Sequence, residues 1–389
     1  MATVAPTIED LAVERAIAKV AESFRFVLDV TPVNVLEQRE EFLSGMTRAP
    51  SFRYRELEDA PAVLSAELAA IDLDAVQEPA LRSLLAAKHA ELQLQIDMLQ
   101  VRGTEDFRRL STDLYGPIGG TLVRKAETIL AEVAPLNDYS EERVHASRFA
   151  ERAERELDHY RALEPDLGVH VEVRPDVAGV MVSGSVLFVS SATRIRASRV
   201  EALVQHEVGT HLLTYANGRF QPIGLMASGL AGYEETQEGL AVLAEFLVGG
   251  LSRFRLRQLA ARVVAVSRML DGESFTDVHD AMVEHGFTPG SAFTTTMRVF
   301  RSGGLTKDAI YLRGLLDVLR HVRDAADLDL LWLGKFGLAQ LPLVIELVNR
   351  GLLNRPRIRP RFLELPATAE RLETAATLSD VDGLIGGVA

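Results

Sequence analysis

Cysteine is absent from this 389-residue chain, and cationic residues are fewer than acidic ones. Without cysteine the protein has neither a disulfide framework nor a thiolate metal site, so any metal must be bound by histidine and carboxylate. A reducing cytoplasm is the compartment that this composition favours. The 42 Lys and Arg residues against 55 Asp and Glu residues give a net charge of −13, which disfavours a polyanion as partner. We therefore do not expect nucleic acid as a ligand.

Long apolar runs are also missing. The longest apolar-leaning stretch, residues 178–192, is interrupted by serine and glycine and is shorter than the roughly 20 residues that span a bilayer. The N-terminus has acidic residues where an export signal needs basic ones. We therefore expect a cytoplasmic protein with no membrane partner, whereas its oligomeric state stays unknown. With 47% hydrophobic and 25% charged residues, the composition is that of a folded globular chain.

Three regions are predicted along the chain. Helical periodicity predicts a helical N-terminal region over residues 1–139, which contains no catalytic constellation. Residues 140–366 are predicted to form the catalytic domain, and residues 367–389 a mobile C-terminal tail. Strand-like patterns occur only early in the catalytic region, as an alternation at 169–173 and a hairpin turn at 183–184. The expected fold class is α+β, predominantly helical.

Two predicted helices of the catalytic region carry most of the chemistry. A capping box formed by Ser198 and Glu201 predicts the start of a helix that continues to about Ala216. The dipeptide at 217–218, Asn-Gly, is expected to provide its left-handed stop. A second helix is predicted over residues 234–248, and a charged helix over 140–163 precedes both.

The first of the two helices contains the sequence His206-Glu207-Val208-Gly209-Thr210-His211. Two histidines beside a glutamate are typical of a mononuclear zinc hydrolase, in which the imidazoles bind the metal and the glutamate accepts a proton from water. These histidines are five residues apart, and a regular α-helix would separate them by about 140°. A local π-turn with i→i+5 hydrogen bonds would return them to one face, and Gly209 would make that distortion sterically easy. Two structural histidines in a buried helix are the alternative interpretation.

A zinc site with two histidines needs a third protein ligand, commonly a carboxylate from a neighbouring helix. The second helix offers Glu234, Glu235, Glu238 and Glu245. Acids at a helix start are favoured by the helix dipole alone, which is sufficient to explain the first two. Glu238 lies one turn further on an apolar face, beside Gly239, which would let the two helices approach closely, and it is the predicted third ligand. Glu245 is predicted to accept an imidazole N–H, with a solvated side chain as the alternative.

The motif HEVGTH followed by QEGLA resembles the family of QEGLA-motif proteins, also described as modulators of flavohaemoglobin expression. Eukaryotic relatives of that family are the microtubule-associated tyrosine carboxypeptidases, which remove a C-terminal tyrosine from tubulin. The resemblance implies that His206, His211 and Glu238 bind zinc, that Glu207 is the general base, and that the substrate is a peptide or protein C-terminus. This chain has a shorter loop between the two motifs than those relatives. The resemblance covers most of the chain through segments 31–34, 114–116, 206–211, 221–222, 237–241 and 303–314.

A cluster of basic residues, Arg298, Arg301 and Lys307, accompanies Tyr311 around the glycine-rich segment 302–304, which is expected to be flexible. In a carboxypeptidase such cations would pair with the terminal carboxylate of the substrate, and a tyrosine hydroxyl would stabilise the oxyanion. The alternatives are a solvated basic face for the two arginines, and a helix cap at Lys307 with Tyr311 packed beneath it.

We therefore expect a zinc-dependent metallopeptidase, a carboxypeptidase-like hydrolase with Zn²⁺ as its cofactor. Its core is expected to be thermolysin-like (gluzincin-type), with a small sheet before the metal-binding helix. An edge of that sheet, within residues 180–190, could receive an extended peptide by strand addition. Two alternatives stay open: a regulatory or binding protein that retains a zinc site without turnover, and a metal-dependent hydrolase of a non-peptide substrate. Intact Glu207 favours an enzyme, because a structural metal site needs no base beside its ligand.

Overall fold

The computed structural model describes residues 6–135, 141–177, 179–324 and 327–378, in which eighteen α-helices accompany five short strands. The predominantly helical α+β class predicted from the sequence is confirmed. The helices are α1 (Ile8–Glu22), α2 (Phe26–Asp29), α3 (Val35–Leu43), α4 (Pro61–Ala69), α5 (Pro79–Gln100), α6 (Glu105–Tyr115), α7 (Gly120–Glu132), α8 (Ala146–Leu163), α9 (Val200–His206), α10 (Leu213–Arg219), α11 (Leu225–Ser228), α12 (Tyr233–Leu247), α13 (Arg253–Leu270), α14 (Phe275–Glu284), α15 (Pro289–Phe300), α16 (Ile310–Arg323), α17 (Leu341–Asn349) and α18 (Pro366–Thr377).

The strands form two small sheets that precede the HEVGTH helix. They are β1 (Arg143–His145), β2 (His170–Arg174), β3 (Val180–Ser183), β4 (Val186–Ser190) and β5 (Arg194–Arg196). One sheet is the antiparallel pair β1–β5, and the other has the order β2–β4–β3. In the second sheet β4 lies in the centre, parallel to β2 and antiparallel to β3. The edge strands of this second sheet are therefore β2 and β3.

The predicted hairpin is confirmed, and two strands, β1 and β5, were missed. Strands β3 and β4 pair with Ser183 opposite Val186, and Gly184 in the turn has a φ of 56°, a conformation that glycine adopts without strain. The prediction of a helix from residue 140 was wrong at its start, because β1 lies there and pairs with β5 before α8 begins at Ala146. Residue 140 itself lies outside the described residues.

Both predicted ends of the HEVGTH helix were wrong. Residues Ala197–Arg199 form a 3₁₀ turn, and Ser198 does not cap the helix: its backbone N–H donates to Glu141, while Glu201 pairs with Arg152 at 2.7 Å. At the other end α10 runs to Arg219, past the predicted Asn-Gly stop. The buried amide of Asn217 binds backbone groups of residues 357 and 358 instead, which is a tertiary contact that the local sequence does not reveal.

The predicted C-terminal tail begins as a packed helix. Helix α18 occupies most of the described part of that segment, where Ala375 is fully buried and Thr368 nearly so. Arg371 donates to the backbone carbonyl of Leu247 at the end of α12, so α18 is attached to the second motif helix. The prediction of a mobile segment is therefore wrong for 367–377, and residues 379–389 lie outside the described residues.

One large apolar cluster contains side chains from both sides of the predicted domain boundary, including Ile17, Leu84 and Ile129 before it and Leu243 and Val263 after it. The helical N-terminal region and the motif-bearing region thus share a core, and the boundary at 139/140 stays a prediction. None of the helices in the described ranges combines the length and the apolar character that a bilayer span requires.

Gly239 allows a close helix crossing, but between different helices from those predicted. It packs α12 against α16: a Cβ at Gly239 would lie 2.2 Å from the backbone carbon of Gly314, and a Cβ at Gly314 would lie 2.0 Å from the backbone oxygen of Glu235. Arg313 also pairs with Glu235 at 2.6 Å across this crossing. The crossing therefore fixes the segment that contains Lys307 and Tyr311 against the helix that contains Glu238.

Replacement of Gly239 by alanine should destabilise the fold, because the new methyl group meets backbone that cannot move aside. We expect the free energy of unfolding to fall by about 3 kcal/mol. Gly120→Ala is the matched control, since Gly120 lies in an exposed helical turn where the methyl group meets only the tip of Arg124. That variant should stay within about 1 kcal/mol of the parent. Urea unfolding measures both, and equal stability of the two variants would contradict the close crossing.

Candidate metal centre

The HEVGTH helix widens where the histidine spacing requires it. Residues Glu207–Leu212 form a π-helical turn between α9 and α10, as predicted from the five-residue spacing. Side chains donate to backbone carbonyls in this turn: Thr210 Oγ1 to Gln205 O at 3.0 Å, and the indole Nε1 of Trp332 to Gly209 O at 2.9 Å. These bonds supply partners where the regular i→i+4 pattern is interrupted, and they stabilise the wider turn.

Gly209 has a packing role in addition to its small size within the turn. A Cβ at this position would lie 2.4 Å from Gln205 Oε1 and 3.2 Å from the ring of Phe362. The ring of Phe362 in turn packs edge-on against Trp332, with 6.2 Å between ring centroids. The glycine therefore makes room for the two aromatic side chains that cover the π-turn.

The π-turn brings the three predicted metal ligands together. The rings of His206 and His211 have centroids 5.0 Å apart, and one carboxylate oxygen of Glu238 lies 3.6 Å from His206 Nε2 and 3.7 Å from His211 Nε2. One ligand atom from each of the three residues lies within 4.8 Å of the other two. Two nitrogens and one oxygen thus face a common point.

A buried carboxylate orients the first histidine. Glu245, fully buried on α12, accepts a hydrogen bond from the Nδ1–H of His206 at 2.8 Å, which confirms the predicted contact. The same carboxylate pairs with Arg199 at 2.7 Å and with Arg255 at 3.2 Å. Because Nδ1 is occupied by this bond, Nε2 of His206 is the nitrogen that points toward Glu238. The two arginines were missed, since nothing in their sequence spacing links them to Glu245.

The imidazole of His211 is oriented by a longer contact than that of His206. Nδ1 of His211 lies 3.5 Å from Gln237 Oε1, and the same amide oxygen accepts a 2.8 Å bond from the hydroxyl of Thr214. Gln237 is the first residue of the QEGLA motif, and its role here was also missed, although its place directly before Glu238 was a usable signal. The motif therefore provides both a predicted ligand and a neighbour that orients the other ligand.

The electrostatics of the cluster favour a bound cation. Burial raises the pKa of the neighbouring Glu207, which lies 6% exposed. Burial alone would raise the pKa of Glu238, but His206 and His211 hold it well below its usual range. Burial alone would likewise lower the pKa of His206, yet Glu238 and Glu245 raise it to about 9. The three glutamates thus favour a proton on the histidines, and a divalent cation can take the place of that proton.

Of the predicted substrate-binding arginines, Arg301 is buried and Arg298 is half-buried, and neither forms part of a solvated face. Arg298 makes a bidentate pair with the fully buried Asp308, at 2.5 and 2.7 Å. Arg301 is 4% exposed and donates to the hydroxyl of Thr31 at 3.1 Å. The segment expected to be flexible is packed instead, with Ser302 fully buried at a φ of 57°. The roles of both arginines toward a substrate stay predictions.

Lys307 and Tyr311 lie beside the metal-ligand cluster. Lys307 Nζ is 3.0 Å from Glu234 and 3.9 Å from Glu238, and both acids raise its pKa above the usual range against the effect of burial. Burial and the charge of Glu238 raise the pKa of Tyr311. The predicted helix cap is wrong, because α16 begins at Ile310 without a side-chain cap. Glu207 and Tyr311 thus both lie near the metal-ligand cluster. Their catalytic roles stay predictions.

Arg298→Met should mainly reduce stability, because it leaves the buried carboxylate of Asp308 with Arg262 at 3.8 Å as its nearest cation. We expect the free energy of unfolding to fall by about 3 kcal/mol or more. Arg320→Met is the control, since the Arg320–Asp317 pair is largely exposed and should contribute less than about 1 kcal/mol. Urea unfolding measures both. An Arg298→Met variant as stable as the parent would contradict the structural role of this ion pair.

Comparisons with known proteins give a consistent picture. A family model described as microtubule-associated tyrosine carboxypeptidase matches residues 40–380. Microtubule-associated tyrosine carboxypeptidase 1 of Rattus norvegicus is 30% identical over 204 residues, which are 49% of this chain and 42% of that protein. The Homo sapiens protein of the same name is 30% identical over 184 residues, or 44% of this chain and 37% of that protein. The matched region thus spans less than half of these curated relatives.

A weaker likeness exists among solved structures. A protein from Colwellia psychrerythraea superposes with a TM-score of 0.43 at 11% identity, over 81% of this chain and 66% of that one. This likeness is too weak to assign a fold. The predicted link to the QEGLA-motif proteins stays a prediction.

Proposed function

Because the chain belongs to the family of microtubule-associated tyrosine carboxypeptidases, we propose that it is a zinc-dependent, carboxypeptidase-like hydrolase that acts on peptide or protein C-termini. The observation that carries the proposal is the convergence of His206, His211 and Glu238 next to the buried Glu207. The names of the relatives favour a C-terminal tyrosine as the residue removed. A peptidase also fits the intact Glu207, for which a purely structural metal site has no use.

The donor set fits zinc. Zn²⁺ in catalytic sites takes three protein ligands of nitrogen and oxygen type at about 2.0–2.2 Å, and tetrahedral geometry then separates the ligand atoms by about 3.4 Å. The carboxylate oxygen of Glu238 lies 3.6 and 3.7 Å from the two imidazole Nε2 atoms, which is close to that separation. The bond from His206 Nδ1–H to Glu245 is the outer support that metal-binding imidazoles commonly have.

The chain's own residues supply the remaining chemistry. A zinc ion held by the three ligands would provide Lewis-acid activation of a water molecule and of the scissile carbonyl group. Glu207 accepts the proton of the attacking water, and the raised pKa that burial gives its carboxyl suits a group that must then donate the proton to the leaving amine. Tyr311 is the candidate donor of a hydrogen bond to the oxyanion that develops on the carbonyl oxygen.

The small sheet offers a place for the substrate chain. Strand β3 is an edge strand of its sheet and contacts the π-turn, so an extended peptide paired with it would run past the cluster. We include this arrangement, with the thermolysin-like (gluzincin-type) core it implies, in the proposal. Main-chain hydrogen bonds to β3 would set the register of the peptide, and the side chains around the cluster would select its terminal residue.

We expect one zinc ion per chain, lost when a ligand is removed. His206→Ala and Glu238→Ala should each lower zinc occupancy to a small fraction after dialysis, because two remaining ligands bind zinc weakly. His170→Ala is the control, since this exposed histidine also lies beside a glutamate, Glu172, at 2.9 Å, but away from the cluster. Elemental analysis measures the occupancy. Full zinc content in both ligand variants would contradict the assignment.

Glu207→Gln should retain the metal and the fold but lose hydrolysis. The amide has the shape of the carboxylate yet cannot accept a proton, and general-base catalysis contributes typically about 10²–10⁴-fold. Turnover is measured on peptides with a free C-terminal tyrosine, and zinc content and thermal midpoint are the controls. Full activity of Glu207→Gln would contradict the mechanism. A wild-type protein that holds zinc and cleaves neither peptides nor protein C-termini would support the regulatory or binding alternative instead.

A further inference from the structure

Lys335 is a cation near the cluster, and no carboxylate of the described residues pairs with it. Its Nζ lies 5.6 Å from the ring centroid of Tyr215 and 5.9 Å from that of Tyr233. Among the residues that the structure describes, no carboxylate oxygen lies within 4 Å of this ammonium group, although Glu234 and Glu238 are near enough to influence its charge. A partly buried ammonium held between two aromatic rings is therefore available to an anion from outside the chain.

Four other cations near the cluster are already paired with carboxylates. Arg298 is paired with Asp308, and Lys307 with Glu234. Arg199 and Arg255 both bind Glu245. A substrate carboxylate would have to displace a protein carboxylate to reach any of these four, whereas at Lys335 no carboxylate of the described residues stands in its way.

The position of Lys335 suits a group one residue away from the reacting carbonyl. Tyr215 lies four residues after His211, and Tyr233 five residues before Glu238, so the ammonium group lies between extensions of the two ligand-bearing helices. His211, Tyr215, Glu238 and Lys335 are all partly exposed, unlike the buried His206 and Glu207. A peptide that presents its last carbonyl group to the cluster places its terminal carboxylate about one residue spacing, roughly 3.8 Å, further along.

The backbone that carries Lys335 is firmly attached. Its N–H donates to Met226 O at 2.7 Å, and its carbonyl accepts from the N–H of Leu230 at 2.9 Å. Three residues later, the N–H of Leu338 donates to the hydroxyl of Thr236 at 2.8 Å. These bonds join the loop to α11 and α12, so the ammonium group is positioned before any ligand arrives.

We propose that Lys335 binds the terminal α-carboxylate of the substrate and so restricts the site to free C-termini. The inference rests on the proposed function and replaces Lys307, Arg298 and Arg301 in the role that the sequence suggested for them. Burial lowers the pKa of Lys335 to about 8 against the opposing effect of Glu234 and Glu238, as expected of a cation that lacks a close counter-charge. A bound carboxylate would supply that charge and stabilise the protonated amine.

The test compares peptides that differ only at the C-terminus. A fluorescein-labelled hexapeptide ending in tyrosine is made as the free acid and as the amide, and its binding to the zinc-loaded Glu207→Gln protein is measured by fluorescence anisotropy. We expect the acid to bind more tightly than the amide. Adding Lys335→Met should weaken binding of the acid about 10- to 100-fold and leave the amide nearly unchanged. Lys335→Arg should retain most of the preference.

Two further variants make the result specific. Lys307→Met should preserve the preference for the free acid, and Lys19→Met, an exposed lysine on α1, controls for the loss of one positive charge. With Glu207 intact, Lys335→Met should raise KM for the acid more than it lowers kcat, and unchanged thermal midpoints show that the variants fold.

Three results would overturn the proposal: no preference for the acid in the parent protein, equal weakening of acid and amide by Lys335→Met, or a preference that disappears with Lys307→Met and survives Lys335→Met. Because binding is measured without turnover, an inactive wild-type protein that still prefers the free acid contradicts the proposed function alone.

Discussion

Two imidazoles five residues apart can face the same point only if the helix that carries them gains one residue in a turn. The rest of the centre depends on that constraint. The wider turn at Glu207–Leu212 interrupts the regular backbone bonding, and side chains from outside the turn stabilise it, chiefly the indole of Trp332 on the carbonyl of Gly209. Packing of Phe362 against Gly209 leaves no room for a larger residue. Residues more than 100 positions later in the chain are thus required for a geometry that a six-residue motif specifies.

Charge imposes the second condition, because carboxylates and imidazoles are buried together around this turn. Glu245 is acceptable in the interior since it binds His206 and two arginines at once, and Asp308 is acceptable because Arg298 binds it with both nitrogens of its fork. The glycine contact between α12 and α16 brings these two networks side by side. Each carboxylate thereby fixes a cation, so most positive charge near the centre serves the fold rather than a ligand.

The sequence predicted the parts of the centre that lie within short motifs. The histidine spacing alone required a π-turn, and the position of Glu238 and Glu245 on one helical face predicted their meeting with His206; the structure confirms these contacts. Contacts between distant segments were not predictable: Arg199 on Glu245, Trp332 on the π-turn, and the close approach of Gly239 to Gly314 join segments far apart in the chain. The capping box at Ser198 failed for the same reason, since a tertiary contact with Glu141 replaced the local bond. The predominantly helical class followed from periodicity, which is a local property.

The arginines and Lys335 have different roles around the centre, and the difference follows from the chemistry of their side chains. A guanidinium group is planar and donates through several N–H groups at fixed angles, so it suits a buried carboxylate that needs both oxygens satisfied, as at Asp308 and Glu245. An ammonium group is compact and strongly hydrated, and its charge is more easily lost on burial. At the partly exposed rim, between Tyr215 and Tyr233, such a group is stable without a permanent partner and can accept a mobile one. Arginines paired with buried carboxylates therefore hold the centre in shape, while a lysine at its rim leaves one positive charge available where a substrate chain would end.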